Sequence, residues 1–139
     1  MDTIAVRDDP TLEDIAFLED RIYDFNVAAT GFSDGRYLAC FLRNDKGVMY
    51  AGICGHTWGG TCEIKLLWMD EAYRRRGLGS RLLRAAEEEA RRRGCTQMLL
   101  STHSFQAPLF YRSHGFRELV RIDDYPRGHA SIILMKSLT

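Results

Sequence analysis

From Leu12 through Ile15, Leu18 and Ile22 to Phe25, apolar residues recur at three- and four-residue steps, and this spacing predicts an amphipathic helix ending near Ala29. Pro10 and Thr11 form its entry, and Gly31 and Gly35 end it. The period then changes. Three runs, RYLACFLRND, GVMYAGICGHTWG and GTCEIKLLWMD, are strand-like, and the turn chemistry between them, Asp45-Lys46-Gly47 and Gly59-Gly60, predicts an antiparallel meander of two hairpins. A second helix is predicted from Leu78 to Arg93, with Leu78, Leu82, Leu83, Ala86 and Ala90 inward and Gly94 as its left-handed cap. Glu87, Glu88 and Glu89 precede Arg91, Arg92 and Arg93 by four residues, the favourable order for ion pairs along a helix. CTQMLLST then reads as a buried strand, FQAPLFYRSHG as a short helix, and FRELVRIDD and HASIILMKSL as two closing strands. This order predicts a mixed α/β (α+β) fold, a sheet layered with helices.

Composition adds bounds. The chain has 139 residues, 45% of them hydrophobic, which predicts one domain spanning 1–139 without a linker. Its formal net charge is zero, so nucleic acid is not expected as a partner. The acidic N-terminus has no apolar core of signal-peptide length and no later stretch could span a bilayer, which predicts a soluble cytoplasmic protein. Cys40, Cys54, Cys62 and Cys95 are scattered, with no spacing that suits a metal, and are expected to be buried free thiols.

Candidate chemistry concentrates in YRRRGLGSRLL, residues 73 to 83. A glycine-rich turn between a strand and a helix aims backbone N–H groups outward at the positive end of the helix dipole, which suits phosphate oxygens. Arg74, Arg75 and Arg76 add charge-assisted bonds, while Gly77 and Gly79, on either side of Leu78 and before Ser80, let the backbone approach an anion closely. No Gly-Lys-Ser/Thr follows, which excludes a nucleotide P-loop, and a third glycine of a dinucleotide fingerprint is missing. Read alone, the pattern also suits an ordinary helix start with solvated arginines.

In context it does more. LWMDEAYRRRGLGSRLLRAAEEEARRRG resembles the pyrophosphate-binding motif of the GNAT superfamily of acetyl-CoA-dependent N-acetyltransferases, with Arg74, Gly77 and Gly79 filling the pattern, and APLFYRSHGF resembles its second signature, occupied by Tyr111, Gly115 and Phe116. HSFQAP followed by DYPRGH is similar to its small bacterial generic branch. The resemblance implies a mostly antiparallel sheet splayed at the cofactor site and acetyl transfer to a primary amine of a small molecule or peptide, without a metal. It assigns Tyr111 as the acid that protonates the leaving thiolate and Glu63 as the base, with His56 as a substitute and partial burial tuning the carboxyl. It places the backbone of Leu67, Trp68 and Met69 against the thioester carbonyl and pantetheine arm. Where the family often has Asn, this chain has Ser104, with Gln106 two positions on as a second polar contact. Phe32, Tyr37, Trp58 and Tyr125, with Asp34, Asp123 and Asp124, are expected around the acceptor, acid and aromatic groups that suit a cationic amine. His103 and His129 read as structural histidines. The C-terminal strands offer a surface for a homodimer. Two other readings share the fold: a user of another acyl-CoA, and a non-catalytic CoA sensor, which has no need of both Glu63 and Tyr111.

Overall fold

Gly59 and Gly60 both take positive φ, 56° and 91°, and close a two-residue hairpin between paired Trp58 and Thr61. That turn and its predecessor set the meander. In the preceding turn, the Asn44 side chain accepts from the N–H groups of Lys46 and Val48 at 2.9 and 3.0 Å. The computed structural model describes residues 2–139. It divides into a first unit ending at Ser33 and a second unit, Asp34–Thr139.

The first unit is built on helix α1, Leu12–Thr30. The Thr11 side chain accepts from Asp14 N at 3.1 Å, and Gly31 at φ 78° donates to Val27 O, so both ends are capped as the sequence predicts.

The second unit holds strands β1 (Arg36–Arg43), β2 (Met49–Trp58) and β3 (Thr61–Met69), helix α2 (Leu78–Arg92), strand β4 (Gln97–His103), helix α3 (Pro108–Ser113) and strands β5 (Arg117–Asp123) and β6 (Ala130–Ser137). The six strands form one sheet in the order β1-β2-β3-β4-β6-β5. Only β3 and β4 pair in parallel, because α2 carries the chain back between them. The mixed, mostly antiparallel α/β sheet expected from the sequence is thus present. The core is the inner face of α2, Leu82, Leu83, Ala86 and Ala90, set with Ile53, Cys62, Ile64, Met98, Leu100, Ile132 and Leu134. Each large aliphatic side chain buried there contributes about 1.5–3 kcal/mol.

Two local readings change. Helix α3 starts at Pro108, later than the predicted run, because residues 104–106 form a turn in which Gln106 Oε1 accepts from His103 N at 2.7 Å and from Thr102 Oγ1 at 3.2 Å. Of the three Glu–Arg pairs on α2, two form, Glu87–Arg91 at 3.7 Å and Glu89–Arg93 at 2.8 Å, whereas Arg92 turns to Glu89. Glu87 is buried, and its closer partner is Lys136 on β6, whose Nζ lies 3.0 and 3.1 Å from its two carboxylate oxygens. A bulk-solvated stripe would leave that carboxylate outside; packing against β6 takes it in. All four cysteines are free thiols, Cys62 and Cys95 buried and Cys40 and Cys54 half-buried.

Candidate active site: the cleft between β3 and β4

The site begins with a register slip. Cys54 pairs with Leu66 and Gly55 with Ile64, so Lys65 is an extra residue, a β-bulge that bends β3. Gly55 makes the bend feasible, since a Cβ there would stand 2.1 Å from the Glu63 carbonyl oxygen. The parallel ladder between β3 and β4 runs only from Thr61/Gln97 to Ile64/Leu100 and then stops. Beyond it the strands part, and the edge of β3 facing β4 has no strand partner.

A cavity of about 910 Å³ fills the gap, lined by Lys65 to Met69 on one wall and Leu100 to Thr102, Phe105, Gln106 and Tyr111 on the other. Arg74 and Arg75 stand at its end, after a short 3₁₀ turn, Glu71–Tyr73, capped by the Asp70 side chain accepting from Ala72 N. Arg75 holds φ 64° without being glycine. Gly77, at φ 76°, is the N-cap of α2, and the first N–H groups of that helix have no partner within it. Arg74 and Arg75 make one end of the cavity cationic, while Gly77, Leu78, Gly79 and Ser80 lie outside its lining; with an unpaired strand edge as its wall, the cavity suits a long ligand with phosphate at one end and amides along its arm.

Tyr111 closes the far wall. Pro108 starts α3, and Gly115 at φ 90° turns the chain so that Phe116 N donates to Tyr111 O. The ring is 7% exposed and meets Phe110 and Phe116 edge-to-face, with centroids 5.2 and 5.8 Å away. Burial pushes its phenol above the ordinary range, so it stays protonated and able to donate.

The acetyltransferase (GNAT) domain family matches residues 34–118. A blasticidin-S acetyltransferase of Streptomyces morookaense is 40% identical over 101 residues, 72% of this chain and 74% of that one. An acetyltransferase of Agrobacterium fabrum is 34% identical over 119 residues, covering 86% and 87%. The crystal structure of an acetyltransferase from Bacillus cereus superposes with a TM-score of 0.79 at 29% identity, over 96% of this chain and 97% of that chain. The chain belongs to the GNAT acetyltransferase family.

In this GNAT domain the predicted cofactor residues divide by position. Leu67, Trp68, Met69, Arg74, Arg75, Gln106 and Tyr111 line one cavity. Arg76 instead lies over the Tyr73 ring, 5.4 Å from its centroid, and Tyr73 stacks on Tyr50 at 4.2 Å. Gly79 has a packing role that the sequence did not reveal: a Cβ there would meet Met69 Cε at 3.0 Å and the Phe110 ring at 3.3 Å, so the glycine seats α2, between Leu78 and Ser80, against the cleft wall. Ser104 faces away, its hydroxyl accepting from Ala130 N at 3.0 Å.

Glu63 sits one residue outside the cavity lining. Register aligns Tyr37, His56 and Glu63 across three strands, and directly opposed residues share a face. Lys65 Nζ lies 2.7 Å from Glu63 Oε1, and His56 Nε2 3.7 Å from Oε2. The surroundings are thus ionic: Lys65, two residues further along the same strand, shares the face of Glu63. Of the other acceptor candidates, Trp58 and Asp34 line a separate hollow of about 360 Å³ with Arg36, Glu89 and Arg93. It lies at the opposite end of the sheet, where β2 ends and β3 begins. Phe32 belongs to the first unit. Asp123 pairs with Arg121 at 3.2 Å, and the Asp124 side chain accepts from Gly128 N at 3.3 Å. Thr102 and Phe105 were not singled out from sequence; the alternation of buried Met98, Leu100 and Thr102 in β4 carried the signal for the first. Among the described residues no three His, Cys, Asp or Glu side chains gather as a metal site, and no helix is long and apolar enough to cross a membrane.

Proposed function

We propose that the protein transfers an acetyl group from acetyl-CoA to a primary amine of a small molecule or peptide, by direct transfer in a ternary complex in the cytoplasm. The observation that carries this reading is the meeting of a buried, protonated phenol and an unpaired strand edge in one cleft with arginines at its end. The name of the Streptomyces relative, at 40% identity, gives an acetyltransferase acting on a small molecule. Acetyl-CoA supplies a thioester whose carbonyl carbon accepts the amine and whose sulfur departs.

The chain's residues divide the remaining work. Arg74 and Arg75 hold the pyrophosphate, with the N–H groups of α2 behind them. The backbone of Leu67 to Met69 aligns the arm and polarises the carbonyl as charge develops on its oxygen. Glu63, kept in place by Lys65, takes the proton that the amine loses. Tyr111 gives its hydroxyl proton to the departing sulfur. The test is CoA release from acetyl-CoA across a panel of amines and peptides, together with the melting temperature under each ligand. Acetyl-CoA raises the melting temperature where NAD and ATP do not, because only a ligand of the native state stabilises it by mass action. An equal shift with ATP, or no shift with acetyl-CoA, overturns the reading.

A further inference from the structure

HSFQAP spans residues 103–108 and DYPRGH residues 124–129. The structure ties them together. The β4–α3 connection and the tip of the β5–β6 hairpin are clamped by three polar contacts: Ser104 N donates to Ala130 O at 2.8 Å, Ala130 N to Ser104 Oγ at 3.0 Å, and His103 Nδ1 lies 3.1 Å from Tyr125 O. Across that clamp runs a chain of four rings. Tyr125 meets His103 at 5.3 Å, His103 stacks on Phe105 at 5.4 Å with planes 2° apart, and Phe105 meets His129 at 5.0 Å.

Phe105 and Tyr125 are nonetheless each 57% exposed. His103 meets both rings, His129 meets Phe105 as well, and more than half of each residue stays open to solvent. Aromatic side chains held rigid in this way offer contact area at little entropic cost. Phe105 also lines the cleft, so it belongs both to the ring chain and to the reaction cavity. At the tip Asp123 pairs with Arg121, and the Asp124 side chain accepts from Gly128 N. Beside these charges the tip presents the Tyr125 ring, and Phe105 stands next to it across the clamp.

We infer that Phe105 and Tyr125 form a stacking wall that selects an acceptor whose primary amine is carried on a planar, unsaturated ring. This deepens the acetyltransferase reading and rests on it for the reaction, though not for binding. A ring lying on Phe105 places its amino substituent toward the cleft that Tyr111 closes. His103 and His129 are positioning residues, acting through the two rings that they hold.

The test uses amines matched in size and differing in planarity, benzylamine against cyclohexylmethylamine and an aminomethylpyridine against an aminomethylpiperidine, at saturating acetyl-CoA. The wall predicts a preference of about tenfold in kcat/KM for the planar member, expressed in KM. Tyr125→Leu and Phe105→Leu bring the ratio towards one, and Tyr125→Trp keeps it. Binding of the same pairs to the CoA-loaded protein, followed by calorimetry, reads the wall without turnover. CoA release with no preference between pair members, or a preference that survives both leucine variants, overturns the wall and leaves acetyl transfer standing. A binding preference with no CoA release keeps the wall and overturns acetyl transfer.

Discussion

Replacing Tyr111 by phenylalanine removes one hydroxyl and nothing else that the fold uses. The ring is 7% exposed, and its edge-to-face contacts with Phe110 and Phe116 are made by carbons that the variant retains. Stability should therefore change by no more than about 1 kcal/mol, the scale of a single neutral hydroxyl. Catalysis should change far more. A lost general acid costs about 10²–10⁴ in rate, about 2.7–5.4 kcal/mol of barrier, while affinity for acetyl-CoA holds within a few-fold because Arg74, Arg75 and the β3 edge are untouched. The assay is thiol release with the best amine, run beside a binding titration and a urea melt.

The pH dependence supplies a second reading. Burial raises the phenol above its ordinary value of about 10. Its contribution to stability is thus fully present below pH 10 and is lost as pH rises through the higher folded value. Wild type should lose stability relative to Tyr111→Phe above about pH 10 and match it at neutral pH. Full turnover in a well-folded Tyr111→Phe protein would remove the acid from the mechanism.

Three further outcomes follow from the packing. Lys136→Met strands the buried Glu87 carboxylate, with only Arg91 at 3.7 Å left, and should cost about 3–5 kcal/mol in urea denaturation; adding Glu87→Leu should recover most of it, and an additive double variant would show that the pair is not coupled. Gly55→Ala puts a methyl group 2.1 Å from the Glu63 carbonyl oxygen and should destabilise the domain by more than about 3 kcal/mol, with neutral behaviour disproving the close approach at the bulge. Burial pushes the Cys62 thiol up to about 12, so at pH 8 it should stay unmodified by a thiol reagent in the native protein and react in urea, whereas prompt native labelling would place it at the surface.

The elements were legible in the sequence because each carries its own period and punctuation. Leu82, Leu83, Ala86 and Ala90 mark the buried face of α2, and Gly59-Gly60 fixes the β2–β3 hairpin to the residue. The phosphate loop and Tyr111 were legible as motifs. Side-chain partners were not, because they depend on which strand arrives beside which. Lys136 meets Glu87 only because β6 inserts between β4 and β5. The Glu63–Lys65 pair is the exception, since residues two apart on a strand share a face. Trp58 and Tyr125, both acceptor candidates in sequence, part company according to which element arrives beside each, one in the hollow with Arg93 at the far end of the sheet and the other in a ring chain at the hairpin tip.

The interrupted ladder between β3 and β4 has a colloidal consequence as well. An unpaired strand edge on the rim of a sheet is a template on which a second molecule can add a strand, and such edges drive aggregation. Here the unpaired stretch, residues 65–69, lies inside the sheet, with β2 bonded on one side and β4 diverging on the other. The same cavity is lined by β4 and by the rings of Phe110 and Tyr111, which stand across from that edge. Only a slender, single chain fits the gap. The protein thus keeps backbone donors and acceptors open to a small ligand and, by recessing them, closed to polymerisation with its own copies.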